Sequence, residues 1–154
     1  MEAKNIKAVY FIGIGGIGMS AIARYFLRRG LVVAGYDRAP SELTRRLEQE
    51  GAIIHYEENL DAIPDVCKQK DSCLVVYTPA IPAEHKELVF FRENGFDLQK
   101  RAQLLGTLTR QMKGLCVAGT HGKTSTSATT ALQVFSGTVP RNSQRSSIVC
   151  APGV

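Results

Sequence analysis

The chain has 154 residues, enough for one domain, or for one domain and part of a second, with a buried hydrophobic core. Hydrophobic residues make up 44% of the sequence and charged residues 21%, which excludes disordered and fibrous classes of protein. No apolar run approaches the ~20 residues of a membrane-spanning helix, and no signal peptide is recognisable at the start. We therefore expect a cytoplasmic protein with no membrane insertion.

The net charge of +5 is unevenly distributed along the chain. Residues 98–154 contain seven Lys or Arg residues and no Asp or Glu, whereas residues 1–97 contain 12 basic and 14 acidic residues. The basic segment lacks the interleaved aromatic residues of single-strand nucleic-acid binders, so it predicts nucleotide phosphate and not nucleic acid as its partner. The four cysteines have no zinc-ligand spacing and are predicted to be free thiols.

Strand and helix patterns alternate from the start of the chain. The nearly continuous apolar run KAVYFIG at 7–13 predicts a strand buried on both faces of a parallel sheet, and helical spacing predicts a helix over 17–29. LVVAGY at 31–36 predicts a second strand. Ser41 is placed to cap the following helix, which should end at Gly51.

The same alternation continues to residue 119 and defines the fold class. It predicts an α/β protein with a Rossmann-like, doubly wound, mostly parallel sheet of about five strands flanked by helices. We expect this domain to span 1–106, and 107–154 to be the truncated start of a P-loop domain whose tail is irregular from about 128. Further strands are predicted at 52–56, 72–78, 96–100 and 114–119, a possible helical turn near 61–66, and helices at 84–94 and 101–111.

The first of two glycine motifs, GIGGIGMS, joins the first predicted strand to the first helix. Gly13, Gly15 and Gly18 satisfy G-x-G-x-x-G, in which glycines allow a tight turn and backbone N–H groups at a helix start face a diphosphate. Asp37 ends the second strand, where a carboxylate can accept hydrogen bonds from a ribose hydroxyl. Ser20 is a candidate helix cap or phosphate ligand. These residues alone fit a nicotinamide or flavin cofactor as well as any nucleoside diphosphate.

The second glycine motif, GTHGKTSTS, follows the strand predicted at 114–119. It departs from G-x-x-x-x-G-K-[ST] because Val117 stands where the first glycine is expected. In the retained Gly-Lys-Thr core, Lys123 is placed to reach the β and γ phosphates and Thr124 to ligate Mg²⁺, while backbone N–H groups hold phosphate oxygens. His121 is left open as a ligand, a base or a loop spacer.

Several segments together resemble one protein family. GIGGIGMS, GYD, YTPAIP, KRAQLL and VAGTHGKTSTS occur in this order between residues 7 and 127. The set is similar to the N-terminal part of the Mur ligases, which build the peptide of peptidoglycan during cell wall biogenesis. Met19-Ser20 and the histidine of GTHGKT favour the member that adds L-alanine, and the murein-peptide recycling ligase is the alternative within the family.

The resemblance implies that the first loop binds the UDP-linked substrate, UDP-N-acetylmuramate, and not NAD or FAD. It implies that the second loop binds ATP, with Lys123 catalytic and Thr124 ligating Mg²⁺, in a reaction that consumes L-alanine. The expected UDP-substrate residues are Gly13, Ile14, Gly15, Gly16, Gly18, Met19, Ser20, Asp37, Thr78, Pro79, Ala80 and Ile81, and the expected ATP residues are Gly119, Thr120, His121, Gly122, Lys123, Thr124 and Ser125.

The resemblance also implies further domains. A complete ligase of this family continues through a large ATP-binding domain and an amino-acid-binding domain, so we expect this chain to hold an incomplete ATP site and not to catalyse ligation alone. Two other classes stay open from the residues: an NAD(P)-binding Rossmann oxidoreductase or sensor domain, and a free-standing P-loop NTPase. GTHGKT argues against the first, and the lack of acidic residues after Asp97 argues against the second.

Overall fold

A computed structural model describes residues 6–111, 116–118, 125 and 148–150. The chain divides into two compact units, Met1–Gly106 and Thr107–Val154. Within the described residues, no helix combines the length and the apolar character needed to cross a bilayer.

The first unit contains a five-stranded sheet in which every pair of neighbouring strands is parallel. This confirms the predicted α/β class. The spatial order of the strands is β3-β2-β1-β4-β5, so the first strand in sequence lies at the centre. The strands are β1 Ala8–Ile12, β2 Val32–Tyr36, β3 Ile53–His55, β4 Cys73–Tyr77 and β5 Asp97–Lys100.

Helices connect these strands close to where the sequence patterns place them. Ser41 caps the second helix as predicted, since its Oγ accepts the Thr44 N–H at 3.2 Å and the Thr44 hydroxyl accepts the Ser41 N–H at 2.8 Å. The predicted turn near 61–66 is a pair of short 3-10 helices, Leu60–Ala62 and Asp65–Lys68. The α-helices are α1 Ile17–Arg28, α2 Glu42–Gln49, α3 Lys86–Glu93 and α4 Arg101–Gln111.

Both faces of the central strand are covered, which explains the continuous apolar run of β1. All five of its residues are buried. On one face Phe11 packs against Phe26 of α1, with ring centroids 6.4 Å apart. On the other face Tyr10 packs against Phe91 of α3 at 4.9 Å, within a cluster that includes Cys67. Cys67 and Cys73 are buried free thiols, as predicted.

The second unit contains a short two-stranded parallel sheet among its described residues. β6, Cys116–Ala118, lies within the strand predicted at 114–119, and it pairs with β7, Ile148–Cys150. The prediction of an irregular tail from about 128 is therefore wrong for Ile148–Cys150. The sequence Ile-Val-Cys is β-branched and apolar, and sheet pairing outweighs the surrounding Ser- and Pro-rich composition.

A buried polar network ties the central strand to an edge strand and to a helix. The Glu87 carboxylate of α3 is fully buried, and it accepts the Tyr10 hydroxyl at 2.6 Å and lies 2.7 Å from His55 Nε2. Burial, and next the Glu87 carboxylate, raise the pKa of Tyr10 well above its ordinary value, so Tyr10 remains a donor. The network joins β1, β3 and α3 by hydrogen bonds. Because hydrogen bonds are directional, they fix the relative orientation of these elements more specifically than apolar contacts do.

We expect Gly35→Ala to destabilise the first unit. A Cβ at Gly35 would overlap the Phe11 carbonyl oxygen and lie 3.1 Å from the Phe11 Cβ, so the two central strands would have to separate. A loss of about 1–3 kcal/mol in the free energy of unfolding is expected, measured by urea denaturation. Gly106→Ala is the matched control: it has open space in α4 and should gain up to about 1 kcal/mol. Equal midpoints for both variants would contradict the close strand packing.

We expect Tyr10→Phe to weaken the buried network. The change keeps the ring but removes the donor to Glu87, and leaving a buried carboxylate with one fewer partner should cost about 1–3 kcal/mol. Tyr25→Phe is the control, because Tyr25 is half-buried and its hydroxyl has no hydrogen-bond partner among the described residues. Thermal denaturation that ranks Tyr25→Phe as the more damaging change would refute the proposed contribution of the network.

Candidate functional site

The candidate site lies where the strand order of the first sheet reverses. The chain moves outward from β1 to β2 and β3, then returns to place β4 and β5 on the other side of β1. In open parallel sheets, ligands bind outside the carboxyl ends of the strands at such a switch point. The loop after β1, residues 13–18, and the turn after β4, residues 78–81, flank this point.

Gly13 begins the loop in a backbone conformation that requires glycine. Its φ is +88°, and its N–H donates to the Tyr36 carbonyl oxygen at 2.8 Å. A Cβ at Gly13 would lie 2.6 Å from Thr78 Cγ2 and 3.7 Å from Ile81 Cδ1. The structure therefore brings the predicted loop after β1 and the predicted turn after β4 into direct contact.

Asp37 contacts the same loop from the end of β2. Its Oδ2 accepts the Gly15 N–H at 2.6 Å, and its Oδ1 accepts the Arg38 N–H at 2.8 Å. A carboxylate offers about four lone-pair positions, so two bonds to backbone leave capacity for a ribose hydroxyl. Sequence reasoning placed Asp37 near the ligand but did not anticipate its bond to Gly15.

The start of α1 provides donors at the mouth of the site. Gly16 is the N-cap residue, no side chain caps the helix, and its first turn contains no acidic residue. The first N–H groups of such a helix have no intrahelical acceptor and carry partial positive charge. Gly16 is exposed, and Ile17 is 84% exposed. The arrangement suits an anion held by backbone.

Three residues predicted to bind the substrate are buried beneath the loop. Ile14, Met19 and Ser20 are at most 1% exposed. The Ser20 hydroxyl donates to the Ile17 carbonyl at 3.0 Å, and the N-cap is Gly16, so of the two roles left open for Ser20 the structure does not show the helix cap. An i to i−3 bond satisfies the hydroxyl inside the first turn. The side chains of these residues support the loop from below.

The turn after β4 is held by backbone hydrogen bonds. The Thr78 N–H donates to the Ile12 carbonyl at 3.4 Å, and the Ile81 N–H donates to the Thr78 carbonyl at 3.2 Å. The Ala80 N–H lies 3.5 Å from the Thr78 hydroxyl. Pro79 and Ala80 are exposed, while Thr78 and Ile81 face the glycine loop.

Sequence reasoning missed several residues around the loop. A Cβ at Gly15 would lie 2.8 Å from Thr44 Cγ2, and a Cβ at Gly18 would lie 2.7 Å from Arg101 Nη1. The Tyr36 ring packs 4.6 Å from the buried His85 ring, and burial, followed by the Glu58 carboxylate, raises the pKa of Tyr36. Arg101 directly follows β5, and side chains at the carboxyl ends of parallel strands share one edge, which is the signal that could have found it.

The second glycine motif lies almost entirely outside the described residues. Residues 119–124, which include the predicted catalytic Lys123 and the predicted Mg²⁺ ligand Thr124, lie outside the described residues. Of the predicted ATP-binding set only Ser125 is described, and it is helical and exposed. In the described part of the chain, no cluster of three His, Cys, Asp or Glu side chains is arranged to hold a metal ion.

Comparison with known proteins gives close relatives over most of the chain. A UDP-N-acetylmuramate--L-alanine ligase of Phocaeicola vulgatus is 61% identical over 131 residues, which is 85% of this chain and 29% of the relative. The enzyme of the same name from Parabacteroides distasonis is 56% identical over 83% of this chain and 28% of the relative. The chain therefore spans less than a third of the length of these relatives.

Solved structures of ligases are also similar to this chain. The UDP-N-acetylmuramate-alanine ligase of Thermotoga maritima has a TM-score of 0.68 and 34% identity, over 80% of this chain and 28% of that one. A murein peptide ligase from Psychrobacter arcticus has a TM-score of 0.70 and 26% identity, over 85% of this chain and 27% of that one. The family model described as "Mur ligase family, catalytic domain" matches residues 8–113. The chain belongs to the Mur ligase family.

Proposed function

We propose that this chain is the UDP-N-acetylmuramate-binding part of an ATP-dependent ligase that adds L-alanine to UDP-N-acetylmuramate in peptidoglycan synthesis. The observation that carries the proposal is the glycine loop at the switch point, which leads to the uncapped start of α1 at the exposed Gly16. Identity of 61% to a ligase of that name supports the choice of substrate.

The loop suits the diphosphate of the substrate, and its neighbours suit the nucleoside. Backbone N–H groups and the positive end of α1 favour a doubly charged diphosphate. The Asp37 carboxylate lies 2.6 Å from the Gly15 nitrogen. It is therefore close enough to the loop to accept a hydrogen bond from a ribose hydroxyl of the same ligand. The turn at 78–81 contacts the loop on its other side and is the proposed neighbour of the uridine.

The second glycine motif is the proposed ATP loop. In the proposed reaction, ATP phosphorylates the muramoyl carboxylate, and the amine of L-alanine then displaces phosphate from the acyl phosphate. Lys123 and a Mg²⁺ ion held by Thr124 are the groups proposed to neutralise charge on the transferred phosphoryl group. Because the chain spans 29% of its relative, ligation is proposed for the whole protein, acting in the cytoplasm, and substrate binding for this part.

Two alternatives have less support. The murein-peptide recycling ligase shares the fold, but identity is 26% to a solved enzyme of that type against 34% to a solved alanine ligase. An NAD(P)-binding oxidoreductase or sensor shares the G-x-G-x-x-G loop and the carboxylate after β2. It has no use for the GTHGKTSTS segment, whose chemistry is that of a Mg-nucleotide.

Isothermal titration separates the proposed function from the NAD(P)-binding alternative. We expect the chain to bind UDP-N-acetylmuramate and UDP, and to show no heat of binding with NADH, because the proposed pocket is built for one nucleoside diphosphate. The recycling alternative takes the same UDP-linked substrate and differs in the group that it adds, so the whole protein is assayed for ligation: we expect product with L-alanine and none with the tripeptide L-alanyl-γ-D-glutamyl-meso-diaminopimelate. Binding of NADH without binding of UDP-N-acetylmuramate would overturn the proposal.

Gly15→Val should weaken binding of UDP-N-acetylmuramate at least tenfold. A Cβ at Gly15 would lie 2.8 Å from Thr44 Cγ2 and 2.9 Å from Asp37 Oδ2, so valine displaces the carboxylate and blocks approach of the diphosphate to the backbone. Lys123→Ala is the comparison variant and should leave this affinity nearly unchanged, since Lys123 is assigned to ATP. Circular dichroism and a thermal melt check that both variants fold, and equal losses of affinity would mean that the two loops are not separate sites.

A further inference from the structure

Arg101, the first residue of α4, lies against the glycine loop. A Cβ at Gly18 would be 2.7 Å from Arg101 Nη1, 3.4 Å from its Cζ and 3.5 Å from its Cδ. The guanidinium group therefore occupies the space beside the Gly18 backbone, in the first turn of α1. The contact follows from topology, since α4 starts where β5 ends, at the same edge of the sheet as the loop.

The exposed Arg101 cation lies where other partial positive charges meet. Arg101 lies at the N-terminus of its own helix and beside the N-terminus of α1, and both ends carry partial positive charge. Neither first turn contains an acidic residue. None of the ion pairs among the described residues involves Arg101. Asp37, the carboxylate that the structure places on this loop, already accepts the Gly15 and Arg38 N–H groups.

The position of Arg101 also explains why residue 18 is glycine. The third glycine of G-x-G-x-x-G is usually needed for close packing of the helix on the strand. Here the nearest atoms to a Cβ at Gly18 are all from Arg101, and none is from a strand. Gly18 therefore leaves the space that the guanidinium group fills.

We infer that Arg101 is a further diphosphate-binding residue of the site and that Gly18 is glycine in order to admit it. The inference deepens the proposed function and rests on it. A guanidinium group presents a planar set of donors that matches two phosphate oxygens at once, and it keeps its charge at every physiological pH. Beside the first turn of α1, it adds side-chain donors to the backbone amides that hold the diphosphate.

The test is titration of the wild type and Arg101→Ala with UDP-N-acetylmuramate, UDP and uridine. We expect Arg101→Ala to weaken binding of both diphosphates about 10- to 100-fold, as for the loss of a charged hydrogen-bonding group, and to leave uridine binding unchanged. Arg101→Lys keeps the positive charge but not the planar set of donors, so its affinity should fall less than that of Arg101→Ala. Arg92→Ala is the control, because Arg92 is an exposed arginine in the last turn of α3, before β5, at the opposite edge of the sheet.

Gly18→Ala supplies a second, independent variant. Its Cβ would meet the flexible end of the Arg101 side chain, so the protein should fold with the guanidinium group displaced. Gly18→Ala should therefore weaken UDP binding, and combining it with Arg101→Ala should add little further loss. Fully additive losses would mean that Gly18 acts independently of Arg101.

The outcomes distinguish the inference from the proposed function. Wild-type binding of UDP-N-acetylmuramate with an unchanged affinity in Arg101→Ala overturns the role of Arg101 alone. A lowered thermal midpoint in Arg101→Ala with unchanged affinity assigns the contact with Gly18 to stability. Failure of the wild type to bind any of the uridine ligands overturns the proposed function, and the inference falls with it.

Discussion

The fold depends on the burial of β1 on both faces. Parallel pairing constrains the chain to return through crossover connections, and the helices of those crossovers cover β1 on both faces. The same constraint brings the carboxyl ends of β1, β2, β4 and β5 to one edge of the sheet. The glycine loop, Asp37, the turn at 78–81 and Arg101 each follow one of those strands directly. The site is a consequence of the sheet.

The main elements of the first unit could be predicted from local patterns because they agree with the tertiary structure. The apolar run of β1, the Ser41 cap of α2 and the glycines of the first loop each carry their own signal. The tail behaves differently. Its composition favours loops, yet Ile148–Cys150 pairs with β6, and such pairing depends on a distant strand that composition does not encode.

The composition of the site was less predictable than its location. A motif identifies residues close together in sequence, whereas Thr44 and Arg101 approach Gly15 and Gly18 from other helices. The buried pair of Glu87 and His55 could not be foreseen for the same reason, because its members are 32 positions apart and each is ordinary in its local segment. Sequence spacing also could not show that Ser20 turns its hydroxyl inward to Ile17.

The bond from the Gly15 N–H to Asp37 has a consequence for the thermodynamics of binding. It attaches the middle of a glycine-rich loop, whose backbone would otherwise be among the most flexible in the protein, to the end of a buried strand. The conformational entropy of the loop is therefore lost when the protein folds and not when the ligand arrives. A loop preorganised in this way allows more of the interaction energy with the proposed diphosphate ligand to appear as affinity, and it makes both the stability of the fold and the proposed binding depend on one carboxylate.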